Sequence, residues 1–193
     1  MHSANAAISE AVFDAFPELD TARLCLRESR LDDAEAVFAV LSQEAVTRYY
    51  NLSPLAGIDE ARAIIDRRAA AFARRERIRW AIARRDDGNV IGSCGFVHWD
   101  LTAARAEIGY EIAPQCQGQG LMREALTAML HFGFGPMQLN RIEAFVVPEN
   151  EPSVRLLRRL GFQQEGFLRE YGFWKKRFHD QLLLSLLKKD WHE

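Results

Sequence analysis

The sequence predicts an α/β protein in which helices flank a mixed β-sheet. Two observations point to that class. Strand-like runs at 23–29, 78–84, 90–100, 106–113 and 140–147 are interleaved with amphipathic, helix-like segments. A run of antiparallel strands is also marked by "RDDGN" (85–89), because Asp-Gly supplies the positive φ that a tight hairpin needs. Neither an internal repeat nor a linker interrupts the 193 residues, so residues 1–193 read as one domain.

Each element follows from its own pattern. Residues 1–20 are small and mixed, Pro17 breaks any helix begun at Ser9, and the segment reads as a peripheral arm. "RLCLRES" alternates Leu24 and Leu26 with arginines, as a half-buried strand does. Asp32, with Glu35 three residues on, marks the start of a helix through Leu41. "VTRYYNLSPLAG" (46–57) is aromatic and turn-rich. A second helix is expected from Ile58 to Arg77, amphipathic through Ala61, Ile64, Ile65 and Phe72. Strands at 78–84, 90–100 and 106–113 form a meander. A helix after Gly120 carries Leu121, Ala125, Leu126, Met129 and Leu130 and stops near "GFGP" (133–136). Strand 140–147 is followed by a turn, cap, helix and stop over 148–162, and "LLLSLL" (182–187) closes the chain as a buried strand.

Composition excludes several functions. With 25 basic and 27 acidic residues the formal net charge is −2, so no global field draws the chain to nucleic acid or an anionic membrane. The densest basic run, "RRERIR" (74–79), reads as a solvated helix end rather than a nucleic-acid patch. Cys25, Cys94 and Cys116 are odd in number and lack CxxC spacing, which argues against a disulfide framework and a structural zinc site. His98 and His179 have no metal-ligand spacing, and Trp99 reads as core. Lacking a leader-like start and a long apolar run, the chain is expected to be reduced and cytoplasmic.

The stretch "QCQGQGLMREA" (115–125) carries the chemistry. N–H groups in a helix's first turn have no internal partner and sit at the positive end of the dipole. Gly118 and Gly120 would let an anion approach that backbone without a Cβ in the way. No Lys-Ser/Thr follows the second glycine, so a nucleotide-hydrolysing loop is disfavoured. No third glycine stands at dinucleotide spacing either. On local grounds alone, a plain strand-to-helix turn stays favoured over an anion seat.

Gln115-x-x-Gly118-x-Gly120 resembles the acyl-CoA signature of the GNAT superfamily of N-acetyltransferases. "ELDTARLCLRE" (18–28), "AEIGYEIAPQCQGQGLMREAL" (106–126), "NRIEAFVVPENEPSVRLLRRLGFQQEGFLRE" (140–170) and "HDQLLLSLLKKDW" (179–191) resemble further family segments in the right order. The last is similar to the end of the branch containing the ribosomal-protein N-terminal acetyltransferases. The resemblance implies a mostly antiparallel central sheet with one splayed parallel strand pair. It also implies acetyl-CoA as cosubstrate, no metal, and a primary amine as acceptor, with a protein N-terminus as the leading expectation. A small amine, such as a polyamine, amino sugar or amino-acid derivative, is the alternative acceptor.

On that resemblance, N–H groups around Gln117, Gly118, Gln119, Gly120, Leu121 and Met122 hold the CoA pyrophosphate. Backbone groups of Ile112 and Ala113 face the pantetheine arm, which Asn150 touches from the next helix. Capping ahead of Pro152 is an equal reading for Asn150. Acetyl transfer needs a neutral amine, a polarised carbonyl and a stabilised leaving thiolate. Glu107 matches the family's base position and ranks first, Glu111 on the same strand face second, and Glu143 third, against the reading of solvent-facing glutamates. The tyrosine that serves as acid in many relatives is replaced by Leu157, leaving Ser153 as the candidate by branch resemblance. The missing tyrosine alone favours a CoA-binding regulatory module without catalysis. Direct attack in a ternary complex is expected, not an acyl intermediate on Cys116. Segments 46–51 and 171–178 are candidate walls of the acceptor channel, or equally a packed loop and a solvated turn. The oligomeric state stays open, a homodimer included.

Overall fold

The structure, a computed structural model, describes residues 12–100 and 102–192. Its strands are β1 (Leu19–Asp20), β2 (Leu24–Arg27), β3 (Ile78–Arg84), β4 (Val90–Asp100), β5 (Arg105–Ile112), β6 (Arg141–Val146), β7 (Gln163–Trp174) and β8 (Arg177–Leu187). The helices are α1 (Ala34–Leu41), α2 (Glu44–Thr47), α3 (Ile58–Ala73), α4 (Leu121–Phe134) and α5 (Glu151–Arg159). All strands lie in one sheet of order β1-β2-β3-β4-β5-β6-β8-β7. Every neighbouring pair is antiparallel except β5 and β6, as the family resemblance implies.

Strand alternation assigns the two faces of the sheet. Ile78, Trp80, Cys94, Phe96, Ile108 and Tyr110 share one face with α4, where Phe132 meets Trp80 edge-on with centroids 5.4 Å apart. A side chain at Gly133 would come 2.8 Å from the Phe96 ring, so glycine lets α4 lie close. Arg79, Ser93, Glu107 and Glu111 share the other face, which α1 and α3 cover. There Ala36 packs against Ala81, Ala83 and Val90, and Arg68 of α3 reaches Glu111.

Several expectations change at element ends. Asp33, not Asp32, receives the Arg30 N–H at 2.7 Å and both Arg27 guanidinium nitrogens, and α1 starts after a 3-10 turn at Leu31–Asp33. Helix α3 stops at Ala73, four residues short of Arg77. Arg75 takes φ 58, and the Glu76 N–H closes onto the Ala71 carbonyl at 2.9 Å, a Schellman exit with arginine where glycine is usual. The late segment is a long hairpin, not a short strand after a loop. Lys175 and Lys176, at φ 49 and 62, form its two-residue turn. Of the N-terminal arm, residues 1–11 lie outside the described residues. Phe16 packs on Phe72 and Trp80, the Trp80 indole donates to the Pro17 carbonyl at 2.7 Å, and β1 extends the sheet.

Candidate active site

The parallel pairing of β5 and β6 lasts for three residue pairs and ends at Glu107 opposite Glu143. Beyond that point β5 runs on to Ile112 and β6 to Val146 without pairing to each other. The Ala113 N–H donates to the Ile91 carbonyl at 2.8 Å, so in an antiparallel ladder Ile112 and Tyr110 direct their N–H and C=O groups away from β4. That side is the gap between the splayed strands, and the Tyr50 hydroxyl meets the Tyr110 carbonyl there. Ala113 therefore has its N–H engaged with β4, and its carbonyl accepts the Cys116 N–H at 2.9 Å. Ile112 and the Tyr110 N–H present the open edge, the Tyr110 carbonyl being taken by Tyr50.

At the end of β5 the chain turns through Pro114–Cys116 into α4. Gly118 and Gly120 have φ 74 and 77, a left-handed conformation that glycine adopts without strain. No atom lies within 4 Å of where a Gly118 Cβ would stand, so the backbone is open on that side. Gly120 is the N-cap of α4 and no side chain caps it, which leaves the first-turn N–H groups of Leu121, Met122 and Arg123 without intrahelical partners. The Gln117 N–H is already bonded to the Pro114 carbonyl. Arg23 braces the loop, donating to the Gln119 carbonyl at 3.0 Å and to Glu124 at 2.7 Å, while the Gln119 amide donates to the Gln115 carbonyl at 2.8 Å. An uncapped helix start with an open glycine backbone suits a phosphate-bearing ligand.

The two carboxylates four residues apart on β5 have different surroundings. Glu111 is buried and surrounded by donors: Arg79, Arg68, Ser93 and Tyr50. Burial alone would raise its pKa, but the two guanidinium groups and the hydrogen bonds hold it below the ordinary carboxylate value. A carboxylate so stabilised as an anion is a poor proton acceptor. Glu107, by contrast, is half-buried and has no hydrogen bond or ion pair among the described residues. Burial raises its pKa, with nearby Glu143 adding to the rise and His98 and Arg77 opposing it. Glu143 is bonded to Arg141 at 2.6 Å.

On the opposite face, Ser153 at the start of α5 shares a hydrogen bond of 2.6 Å with the Tyr110 hydroxyl. Burial pushes that phenol up to about 12. The Asn150 side-chain oxygen (Oδ1) accepts the Ser153 N–H at 3.4 Å, so Asn150 caps α5. Leu157 is fully buried. Tyr110 went unmarked in the sequence because its partner stands 43 residues away. The two segments read either as walls of an acceptor channel or as a packed loop and a solvated turn touch each other: the Lys175 ammonium donates to the Thr47 carbonyl at 3.0 Å. Tyr50 and Glu111 also border a cavity of about 490 Å³ between α3 and strands β3–β5.

A parallel strand pair that splays apart, followed by a glycine-opened helix start, is the arrangement that the resemblance to a GNAT-type acetyltransferase implies. The chain belongs to that family, since the model of the acetyltransferase (GNAT) domain matches residues 23–163. It is 42% identical over 173 residues to an N-acetyltransferase of Bacillus subtilis (strain 168), YoaA, named as uncharacterized; the match covers 90% of this chain and 98% of YoaA. It is 36% identical over 107 residues to the ribosomal protein uS5-alanine N-acetyltransferase of Escherichia coli (strain K12), covering 55% of each. The structure of Mycobacterium smegmatis RimJ in complex with CoA-disulfide superposes with a TM-score of 0.81 at 25% identity, covering 90% of this chain and 88% of that one. The protein is therefore an N-acetyltransferase. Among the described residues no cluster could hold a metal ion, and no helix is long and apolar enough to cross a membrane.

Proposed function

We propose that the chain moves the acetyl group of acetyl-CoA directly to the N-terminal amine of a protein, within a ternary complex. The observation that carries this reading is the position of Glu107, without a hydrogen bond or ion pair among the described residues and with a raised pKa, at the last rung before β5 and β6 part. Acetyl-CoA, when bound, supplies the activated thioester. The first-turn N–H groups of α4 and the open Gly118 backbone hold the pyrophosphate, and Tyr110 and Ile112 offer N–H groups to the pantetheine arm. Three free thiols, Cys25, Cys94 and Cys116, are in keeping with a reducing, cytoplasmic setting.

The two faces of the sheet divide the chemistry. Glu107 accepts a proton from the incoming ammonium, directly or through water, on the face covered by α1 and α3. Tyr110 and Ser153 stand on the face of α4 and α5, where the departing sulfur is stabilised. With the phenol at about 12 and an ordinary thiol near 8.5, outright protonation of the thiolate by Tyr110 is uphill by about 3.5 units, or roughly 5 kcal/mol. The hydroxyl pair therefore acts by hydrogen-bonding the sulfur. Magnitudes also favour an α-amine over an alkyl amine such as a polyamine: an α-amino group titrates about 2.5 units below a lysine, so its deprotonation by a carboxylate is easier by about 3.4 kcal/mol.

The test is thiol release from acetyl-CoA with a panel of N-terminal peptides and small amines. Peptides should be turned over with higher kcat/KM than polyamines, amino sugars or free amino-acid derivatives. A preference for one of those small amines would reassign the acceptor. Saturable CoA binding without turnover on any amine would leave only a regulatory module.

A further inference from the structure

The cavity beside Glu111 is lined by five arginines, Arg67, Arg68, Arg74, Arg77 and Arg79, against two carboxylates, Glu76 and Glu111. Two of the arginines, Arg68 and Arg79, are locked onto Glu111. Arg74 is held in a two-point bond by Glu76 at 2.8 and 3.0 Å. Arg67 and Arg77 form no salt bridge among the described residues, although Arg77 acts electrostatically on Glu76 and Glu107, and both are exposed at the cavity's edge. This excess of three positive charges sits in a concave site of a chain whose formal net charge is −2. Concave walls focus such a field and raise the local concentration of anions. Much of the "RRERIR" run thus lines a cavity, because α3 ends early and β3 begins inside the run.

The cavity also borders the chemistry. It lies on the face of the sheet that carries Glu107 and Glu111, and Arg77 is near enough to Glu107 to oppose its pKa rise. Val97, in its wall, is the bulged residue of β4 that faces no partner between the pairs Phe96–Ile108 and His98–Glu107. Arg68, Glu111 and Arg79 form a fixed floor, since each guanidinium is held and its side chain is only 16% or 15% exposed. An anion entering meets pre-oriented cations below and, at the mouth, two guanidinium groups that no salt bridge holds among the described residues. Arginine's planar fork suits carboxylate and phosphate.

We infer that the acceptor is an amine bearing an anionic group, a carboxylate or phosphate, that Arg67 and Arg77 bind in this cavity while the amine meets Glu107. The inference rests on the transferase reading above and names its substrate class. An acidic residue close to a protein N-terminus and a small amino acid are both sources of that chemistry.

The experiment uses two matched pairs with the full chain. One is a peptide with Asp at its second and third positions against the same peptide with Asn. The other is 4-aminobutyrate against its amide. Thiol release gives kcat/KM, and fluorescence anisotropy of labelled peptides on the CoA-loaded protein gives affinity whether or not turnover occurs. The acid member of one pair should be favoured at least tenfold, chiefly through KM, and the pair that responds identifies the source. Added salt should shrink the preference. In the double variant Arg67→Ala/Arg77→Ala the acid-to-amide ratio should fall toward one, and in Arg67→Lys/Arg77→Lys part of it should return. Equal turnover of acid and amide in both pairs would overturn the anion site while leaving the transferase intact. No turnover on any amine, with tighter binding of the acid peptide, would overturn the transferase reading and keep the anion site. Equal peptide binding without turnover would overturn both.

Discussion

Replacing Glu111 by glutamine should destabilise the protein far more than the same change at Glu107. The structure sets the size of the effect. Glu111 is buried and compensates two guanidinium groups, Arg79 and Arg68, that are themselves only 15% and 16% exposed. Glutamine keeps the shape but removes the charge, and its amide N–H₂ would confront a donor. Breaking a buried ion pair from one side costs about 3–5 kcal/mol, because the remaining charge is left in a poor solvent. A domain of this kind has about 5–15 kcal/mol in all. With a urea slope of about 2 kcal/mol per molar, the unfolding midpoint should drop by about 1.5–2.5 M at unchanged slope. The pH dependence has a defined sign. The folded pKa of Glu111 lies below its unfolded value of about 4.5, so its stabilisation is fully present above that pH. It is lost as pH falls through the folded value. Wild-type stability should therefore decline on acidification below about pH 4.5, and the variant should decline less. A midpoint shift under about 0.5 M, or equal acid sensitivity of the two proteins, would refute the claim that this carboxylate holds the arginines in place.

Glu107→Gln should leave the urea midpoint near wild type and lower kcat by about 10²–10⁴-fold, the usual worth of a positioned base. Because burial raises the Glu107 pKa, wild-type kcat/KM should fall as pH drops through that raised value, and a rate unchanged by the substitution would remove Glu107 from the mechanism. Gly118→Ala places a side chain at φ 74, where an L-residue costs roughly 1–2 kcal/mol. Calorimetric titration should show CoA binding weakened at least tenfold, since the Cβ also enters the open approach. Tyr110→Phe keeps the ring and removes the hydroxyl bonded to Ser153. Single-turnover acetyl transfer should slow by about tenfold, the worth of one hydrogen bond, whereas a loss of 10⁴-fold would make Tyr110 an obligatory proton donor.

Much of the fold was legible because its signals are local. Alternating leucines at Leu24 and Leu26, the Asp87-Gly88 turn, and the glycines before Leu121 each act within a few residues of chain, and the structure has β2, the β3–β4 hairpin and α4 where they point. The failures have a common cause. Strand β7 is the sheet's exposed edge, so "QQEGFLREYGFW" shows no clean alternation. Its hairpin turn is Lys175–Lys176, and the exit from α3 passes through Arg75, all left-handed without the glycine that announces such a conformation.

The same division runs through the site. The glycine doorway and the family it belongs to could be read from the chain itself, because a helix start opened by Gly118 and Gly120 is a property of consecutive residues. Which carboxylate is free could not. Glu107 and Glu111 are equivalent by spacing, and only folding surrounds Glu111 with Ser93, Arg79, Arg68 and Tyr50, which stand 18, 32, 43 and 61 residues away. Tertiary structure likewise joined Tyr110 to Ser153 and gathered the arginines around one cavity. Ionisation depends on every charge and dipole within a few ångströms, and the sheet, not the order of residues, decides which groups come that close.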